Sequence, residues 1–265
     1  MHNNIGFIGA GNMAYAIASG LVEKNFPCRL FHFDRDSAKY VRFESIGSSS
    51  CWKLEELLEA CDTVFFAVKP QNFDELLAQM NGFPTGEKLF VSIAAGISTG
   101  YLAASLGRGA KIVRAMPNTP LLVSMGATAL CANEQVTPQE LCYVQQIFSQ
   151  LGVCEIIEEE LMNAIIAVNG SSPAVVYLFV KAFVDGAKEQ GIDEQLAFRL
   201  FCQSVLGSVE MLQSTGKSPE ELIRMVTSPG GTTLAILDSL EQSHFSEAIA
   251  DSMRACTRRA QEIGK

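Results

Sequence analysis

The chain has 265 residues, of which 48% are hydrophobic and 18% are charged, and its formal net charge is −9. This composition is typical of an ordered globular protein with one large or two ordinary domains, and it argues against a disordered chain. The negative charge and the lack of any basic run argue against nucleic acid or an anionic membrane surface as the main partner.

The sequence predicts neither membrane attachment nor secretion. The longest uninterrupted apolar run, residues 174–180, is far shorter than the roughly 18 residues that suggest a membrane span. Residues 1–8 lack the basic segment and cleavage site of a signal peptide. The cysteines are scattered without a C-x-x-C pair, which predicts buried free thiols. We therefore expect a cytoplasmic protein without a metal site.

Short β-branched or aromatic runs alternate with segments of helical length through the first part of the chain. This alternation predicts an α/β fold with a doubly wound parallel sheet of the Rossmann type. The predicted parallel strands are residues 5–8, 29–33, 63–68, 89–93 and 111–116. Residues 127–132 and 153–157 predict two further strands. Between them, Thr137 and Glu140 predict a capping box that begins a helix, and Gly152 is expected to close it.

The strand signals stop near residue 160, so we predict two domains: a dinucleotide-binding domain over 1–160 and an all-helical domain over 161–265. Residues 161–190 are apolar almost all round, which predicts a helix buried between partners. Ser218 and Glu221 predict a second capping box. The helical domain has more apolar surface than a lone bundle of its size needs to hide, which predicts dimerisation.

A glycine-rich turn directly follows the first strand and opens a helix, the context of a dinucleotide-binding fingerprint. Gly9 allows the tight turn, Gly11 lets a diphosphate approach the backbone, and Ala14 permits close packing of helix on strand. The predicted cofactor contacts in this region are Ile8, Gly9, Ala10, Gly11, Asn12 and Met13.

The end of the second strand carries conflicting signals about the cofactor. Asp34 would accept hydrogen bonds from the 2′-hydroxyl of NAD and repel the 2′-phosphate of NADP, whereas Arg35 would pair with that phosphate or lie on the adenine. Both residues are predicted cofactor contacts. The sequence leaves the choice between NADPH and NADH open.

Three more strand ends should face the same ligand edge of the sheet. The predicted cofactor contacts there are Ala67, Val68, Lys69, Pro70, Ala94, Ala95 and Gly96. Lys69 suits two roles, a proton donor or a cation against the cofactor's ribose or phosphate. Met116, Pro117 and Asn118 are predicted substrate contacts, although Asn118 is also suited to capping a turn.

A second glycine turn occurs more than two hundred residues after the first. Ser228 is the predicted N-cap of a helix, and Pro229 is its predicted first residue. The amides of Gly230, Gly231 and Thr232 would then point outward from the positive end of the helix. Two glycines weaken a helix start and nothing local in the sequence offsets that cost, so the pattern predicts a carboxylate site.

Together these segments resemble the pyrroline-5-carboxylate reductase family over nearly the whole chain. The motifs that carry the resemblance are GFIGAGNMA (6–14), AVKPQ (67–71), SIAAGI (92–97), MPNTP (116–120), VLGSVEML (205–212) and VTSPGGTT (226–233). One departure from the family pattern is Ser172, which replaces a glycine.

The resemblance implies reduction of the cyclic imine 1-pyrroline-5-carboxylate to L-proline, with NADPH as cofactor and NADH also possible. It implies a helical domain that interlocks with that of a second copy, so that each active site is shared between two chains of a homo-oligomer. It implies that Thr233 lies beside the ring nitrogen as the catalytic residue. The substrate contacts implied in the second turn are Ser228, Gly230, Gly231, Thr232 and Thr233.

Two rival functions are weighed against this one. A β-hydroxyacid or ketopantoate-type reductase would need a lysine on the helix that starts the second domain, and residues 161–180 contain none. A cofactor-sensing protein without catalysis would not need the intact turn at residues 228–233. None of the three histidines stands where a 2-hydroxyacid dehydrogenase places its general acid.

Overall fold

The computed structural model describes residues 3–264. By its contacts the chain divides into two compact units. The first extends to Pro173 and also includes the residues from Arg254 onward, and the second is Ala174–Met253. This division differs from the boundary near residue 160 that the strand signals suggest, and that boundary remains a prediction.

The first unit is built on an eight-stranded sheet with the order β3-β2-β1-β4-β5-β6-β7-β8. The strands are β1 (Asn4–Ile8), β2 (Arg29–Phe33), β3 (Ser49–Ser50), β4 (Thr63–Phe66), β5 (Leu89–Ser92), β6 (Lys111–Met116), β7 (Gly126–Ala132) and β8 (Gly152–Ile156). Strands β1 to β6 are mutually parallel, as the apolar runs predict.

The sequence predicts the last two strands without their direction, and the structure supplies it. Strand β7 runs antiparallel to β6, and β8 is parallel to β7. The connection between β6 and β7 contains only the 3₁₀ turn Thr119–Val123. A parallel crossover needs a dozen or more residues, and this connection is too short to carry the chain back across the sheet. Strand β3, a polar pair at the edge, has no pattern that the sequence could reveal.

Helices cover both faces of the sheet, which confirms the doubly wound architecture. They are α1 (Asn12–Glu23), α2 (Tyr40–Glu44), α3 (Leu54–Ala60), α4 (Phe73–Gln79), α5 (Thr99–Leu106) and α6 (Pro138–Ser149). One core cluster packs α1 and α6 on one face, where Phe7 and Phe148 are fully buried. The other packs α3, α4 and α5 on the opposite face, where the rings of Phe66 and Phe90 stack 5.4 Å apart.

The capping box of α6 is confirmed, but its predicted end is wrong. Thr137 accepts from the Glu140 amide at 3.3 Å, and the Glu140 carboxylate accepts from the Thr137 amide at 2.9 Å. The helix ends at Ser149, and Gly152 is instead the first residue of β8. Gly152 has a φ of 143°, and a Cβ there would lie 2.0 Å from the Gly126 carbonyl oxygen. The glycine serves a close strand approach rather than a helix end.

The C-terminal region is helical. It contains α7 (Ser172–Glu189), α8 (Glu194–Ser214), α9 (Pro219–Val226), α10 (Thr232–Gln242) and α11 (Phe245–Ile263). The predicted capping box of Ser218 and Glu221 begins α9. The long helix expected over 161–190 begins only at Ser172, because a π-helical turn, Ile166–Gly170, precedes it.

Helices α7 and α8 leave most of their apolar side chains uncovered. Phe183 and Phe201 stack with ring centroids 4.0 Å apart, yet Val184 and Ala197 are the only buried residues of these two helices. The exposed apolar residues of α7 and α8 include Val175, Val176, Tyr177, Leu178, Phe198, Leu200 and Leu206. The segment Ile166–Glu189 is long and apolar enough to cross a membrane by length and composition alone, and few of its residues are buried within the single chain. This excess of apolar surface confirms that a single chain leaves a large face to be covered.

We expect Gly152→Ala to lower the free energy of unfolding by about 2 kcal/mol or more, because a side chain adds both backbone strain and a clash with Gly126. Urea denaturation followed by circular dichroism measures the change. Gly109→Ala is the matched control, because a Cβ at Gly109 meets no atom within 4 Å. Equal stability of the two variants would contradict the close approach of β7 and β8.

Candidate functional site

A groove of about 550 Å³ opens at the carboxyl ends of β1, β2 and β4, where open parallel sheets bind their ligands. It brings together these predicted cofactor contacts: Ile8, Gly9, Gly11, Asp34, Arg35, Ala67, Val68 and Lys69. The residues that complete the lining are not among the predicted contacts: Phe33, Asp36, Lys39, Gln71, Asn72, Glu75, Leu76 and Gln79.

The two glycines of the first turn have different tasks. Gly9 has a φ of 103°, its amide donates to the Phe33 carbonyl at 2.8 Å, and a Cβ would lie 2.6 Å from the Ala67 carbonyl oxygen. Gly11 is the N-cap of α1, without a side-chain cap, and a Cβ there meets no atom within 4 Å. Gly9 is therefore required by the fold, whereas the space at Gly11 fits a diphosphate placed against the helix N-terminus.

Asp34 holds the glycine turn in place. Its carboxylate accepts from the amides of Ala10 at 2.8 Å and Asp36 at 2.9 Å, and from the Lys39 ammonium at 2.9 Å. Burial alone would raise the pKa of Asp34, but these hydrogen bonds and the Lys39 charge outweigh it and hold the pKa below its ordinary value. The carboxylate is thus charged and held in place beside the groove.

Three cationic side chains line the same groove, each in a different setting. The Arg35 guanidinium pairs with Glu75 on α4, and Lys39 pairs with Asp34. Lys69 is exposed just before the 3₁₀ turn Pro70–Asn72, and both of its predicted roles remain predictions. The sequence offered one clue to Lys39, its position five residues after Asp34.

Several predicted cofactor contacts lie outside this groove. Asn12 accepts a hydrogen bond from Arg42 at 2.9 Å, and Met13 packs on the core. Gly96, after β5, has a φ of 78° and is covered by the end of the chain. A Cβ there would lie 2.9 Å from the Ala260 carbonyl oxygen and 3.0 Å from the Gly264 Cα. The C-terminal residues thus close over the Ala94–Gly96 turn.

The predicted substrate contact Asn118 is committed to the backbone instead. Its side-chain amide donates to the Asn169 carbonyl at 3.1 Å and accepts from the Ala127 amide at 2.9 Å. Asn169, which the sequence did not reveal, donates to the Met116 carbonyl at 2.6 Å. The two asparagines therefore fasten the segment after β6 to the π-helical turn. Asn118 precedes the 3₁₀ turn Thr119–Val123, but its side chain makes no capping hydrogen bond there, so its contacts do not support the alternative role of capping a turn.

A buried arginine also escaped prediction. Arg114 of β6 is 3% exposed, and it donates to Asn163 Oδ1 at 2.6 Å. Its guanidinium lies 3.7 Å from Glu159, which also accepts from the Thr99 amide at 2.8 Å. A single charge inside the apolar run KIVRAM was the available signal. This network fastens β6 and the start of α5 to the residues that follow β8.

The second glycine turn, which belongs to the second unit, begins its helix later than predicted. Helix α10 starts at Thr232 with Gly231 as N-cap, so Ser228 is not the N-cap and Pro229 is not the first helical residue. The Gly231 amide donates to the Ser228 carbonyl at 2.9 Å and does not point outward. Gly230 has a φ of 70°, which a tight turn requires. A local need therefore accounts for these glycines, contrary to our expectation.

The start of α10 nevertheless offers hydrogen-bond donors. Gly231 provides no side-chain cap, and within residues 3–264 the amides of Thr232 and Thr233 meet no acceptor. Thr232 is exposed and Thr233 is half-buried. A positive helix end with free amides and two hydroxyls is suited to bind a carboxylate. The free donors of this turn are therefore those of the two threonines rather than those of the two glycines.

Comparisons with known proteins match both parts of the chain. A family model described as pyrroline-5-carboxylate reductase dimerisation matches residues 159–263, and one described as NADP oxidoreductase coenzyme F420-dependent matches residues 4–96. The pyrroline-5-carboxylate reductase of Escherichia coli (strain K12) is 36% identical over 100% of both chains. That of Synechocystis is 37% identical over the same extent.

Solved structures of pyrroline carboxylate reductases are also similar to this chain over nearly its full length. The pyrroline carboxylate reductase of Plasmodium falciparum with NADP bound has a TM-score of 0.91 at 31% identity, and covers 99% of this chain and 98% of its own. The 1-pyrroline-5-carboxylate reductase of Streptococcus pyogenes also has a TM-score of 0.91, at 30% identity, and covers 98% of both chains.

We expect the two glycines of the first turn to separate folding from cofactor binding. Gly9→Ala should lower the free energy of unfolding by about 1–3 kcal/mol, because it strains the turn against Ala67. Gly11→Ala should leave stability within about 0.5 kcal/mol, yet weaken NADPH binding by about tenfold or more, because its methyl group occupies the diphosphate's place. Thermal melting and calorimetric titration measure the two effects. A Gly11→Ala protein that binds NADPH normally would contradict the assignment.

Proposed function

Because the chain belongs to the pyrroline-5-carboxylate reductase family, we propose that it reduces 1-pyrroline-5-carboxylate to L-proline with NADPH, the last step of proline biosynthesis. It is an NAD(P)-dependent oxidoreductase that acts on a C=N bond. The observation that carries this function is the similarity at 36% identity over the full length of both chains. It spans the cofactor groove and the helical region together.

The groove at the first glycine turn fits the cofactor. Gly11 leaves open space at the uncapped N-terminus of α1, Asp34 stands braced for a ribose hydroxyl, and Lys69 adds a positive charge. The bound cofactor supplies a hydride to the imine carbon while the ring nitrogen gains a proton, which gives L-proline and the oxidised cofactor. The protein's share of the catalysis is to hold the two reactants in line.

The amides of Thr232 and Thr233 are the proposed site for the substrate carboxylate. They lie at the positive end of α10, and no side chain of the cap stands in front of them. Ser228, Gly230 and Gly231 shape the turn that presents these amides. Met116 and Pro117, at the carboxyl end of β6, are the proposed contacts beside the ring, and Asn118 holds their segment in place.

Thr233 is the proposed proton relay to the ring nitrogen. Its hydroxyl belongs to the same short turn as the carboxylate site, and a hydrogen bond that it donates to the nitrogen would strengthen as the hydride reaches the ring carbon and the nitrogen becomes more basic. An alcohol is a weak acid, so we assign Thr233 to orienting or relaying a proton rather than to storing one. His32 cannot take this role, because it is fully buried, with Nδ1 2.9 Å from Ser48 Oγ.

The chain has the dimerisation domain of its family, and a homo-oligomer is the assembly that covers the apolar faces of α7 and α8. We further propose that each active site combines the cofactor groove of one chain with the threonine turn of its partner. Support comes from the family resemblance and from the uncovered apolar surface. The same burial accounts for the apolar segment Ile166–Glu189 without a membrane. A cytoplasmic location and the lack of a nucleic-acid partner remain expectations from composition.

We expect the wild-type protein to oxidise NADPH when 1-pyrroline-5-carboxylate is added, and Thr233→Val to lower kcat and kcat/KM together by about tenfold or more. Valine keeps the β-branched shape and the backbone amide while it deletes the hydroxyl. A hydroxyl that acts only in the transition state lowers both constants. Steady-state kinetics at saturating NADPH measure them.

Thr232→Val is the matched control, since it removes the neighbouring hydroxyl and keeps both amides of the carboxylate site. A rise in KM with unchanged kcat in Thr233→Val would reduce the residue to ground-state binding. Unchanged constants would remove it from the mechanism, and a wild-type protein without turnover would overturn the proposed reaction.

We expect Gly11→Val and Thr233→Val proteins to complement one another when mixed under conditions of subunit exchange. In a mixed dimer with shared sites, one site carries both substitutions and the other carries none. A statistical mixture should therefore recover about a quarter of the wild-type activity. If each site were built within one chain, every site would keep one substitution, and demonstrated exchange without recovery would overturn the shared site.

A further inference from the structure

Two ion pairs stand side by side at the β2 end of the cofactor groove. Arg35 NH1 lies 2.6 Å from Oε1 and 2.7 Å from Oε2 of Glu75, and Lys39 Nζ lies 2.9 Å from Asp34 Oδ2. All four residues line the groove. In dinucleotide-binding folds, the end of the second strand is where the adenosine ribose meets the protein.

The two pairs differ in how firmly their carboxylates are held. The Asp34 carboxylate accepts hydrogen bonds from two backbone amides and from Lys39, and its side chain is 12% exposed. The Glu75 side chain is 57% exposed, and its polar contacts within residues 3–264 are Arg35 and a long one to Gln79 at 3.5 Å. Asp34 is therefore part of the frame, whereas Glu75 is free to release its partner.

We propose that Glu75 is a specificity-determining residue that competes with the 2′-phosphate of NADPH for Arg35. The inference rests on the proposed use of NADPH. A 2′-phosphate carries nearly two negative charges and accepts paired hydrogen bonds from a guanidinium, so it displaces a single exposed carboxylate. NADH has no such group and leaves the Arg35 and Glu75 pair closed. Glu75 thus reduces the advantage of NADPH over NADH without affecting NADH.

The ion pair between Glu75 and Arg35 is weak enough for the 2′-phosphate to displace Glu75. Exposed ion pairs of this kind contribute at most about 1 kcal/mol, which corresponds to about fivefold in affinity. Repulsion between the Glu75 carboxylate and the phosphate adds to this, and salt screens both effects because the side chains face solvent. The residue therefore tunes cofactor preference and does not block the groove.

We expect Glu75→Gln to tighten NADPH binding by about threefold to tenfold and to leave NADH binding within about twofold. Glutamine keeps the length and shape of the side chain while it removes the charge. Calorimetric titration of the full-length protein with each cofactor, without imine, measures both constants. Repeating the titration in high salt should shrink the difference.

Asp74→Asn is the matched control, because Asp74 precedes Glu75 on α4 and hydrogen-bonds to Tyr101 rather than to Arg35. It removes the same charge from the same helix turn, and it should leave the ratio of NADPH to NADH affinity unchanged. Arg35→Ala should weaken NADPH binding by about tenfold and barely change NADH. In an Arg35→Ala background, Glu75→Gln should bring no further gain.

Three results would overturn the inference: a Glu75→Gln protein with unchanged NADPH affinity, an equal gain from Asp74→Asn, or a gain that persists without Arg35. The last two would reduce the effect to general repulsion. These titrations need no turnover, so they separate the two proposals. Failure to reduce the imine would contradict only the proposed reaction. Normal turnover together with an unchanged NADPH affinity in Glu75→Gln would contradict only the proposed competition.

Discussion

The site depends on the absence of a side chain at Gly9. Its amide reaches the Phe33 carbonyl of β2, and the space where a Cβ would stand is filled by the Ala67 carbonyl that follows β4. Three parallel strands can therefore bring their carboxyl ends to one point. The groove, the uncapped start of α1 and the placement of Asp34 all follow from that approach. Any larger residue would separate the strand ends that the cofactor must span.

A second constraint is that two helices, α1 and α10, begin without a side-chain cap. Both N-cap positions carry glycine, Gly11 and Gly231, and a polar cap would stabilise each helix by roughly a few tenths of a kcal/mol more than glycine does. The chain caps other helices well, as Thr137 and Ser218 show. Helices α2 and α4 also begin without a side-chain cap hydrogen bond, at Lys39 and Asn72, but α1 and α10 carry a glycine there, which has no side chain to supply one. Free amides at a positive helix end are suited to a diphosphate in one case and to a carboxylate in the other.

The sequence predicts well where a physical requirement acts locally. Strands β4 and β5 are buried throughout and read as apolar runs, and the capping boxes are set within four residues. It fails where distant segments decide, and also where a short connection or a tight turn redirects the chain. The direction of β7 follows from a short connection. The partners of Asn118 and Arg114 lie some fifty residues away, on Asn169 and Asn163. Helix α10 begins later than predicted, because a tight turn at Gly230 first directs the Gly231 amide to the Ser228 carbonyl.

The contrast between local and distant requirements also explains why Asp34 and Arg35 alone do not predict the choice between NADPH and NADH. Asp34 has a structural role, because its carboxylate accepts a hydrogen bond from the Ala10 amide. Its lowered pKa keeps that carboxylate charged. That carboxylate contributes stability above its unfolded pKa, which is lost as the pH falls through the lower folded value. A residue with this duty cannot be exchanged freely to admit a 2′-phosphate. Adjustment of cofactor preference must then come from the exposed charges around Asp34. Lys39 lies close to the end of β2 in the sequence, but Glu75 lies on α4 and is recognised only once the chain is folded.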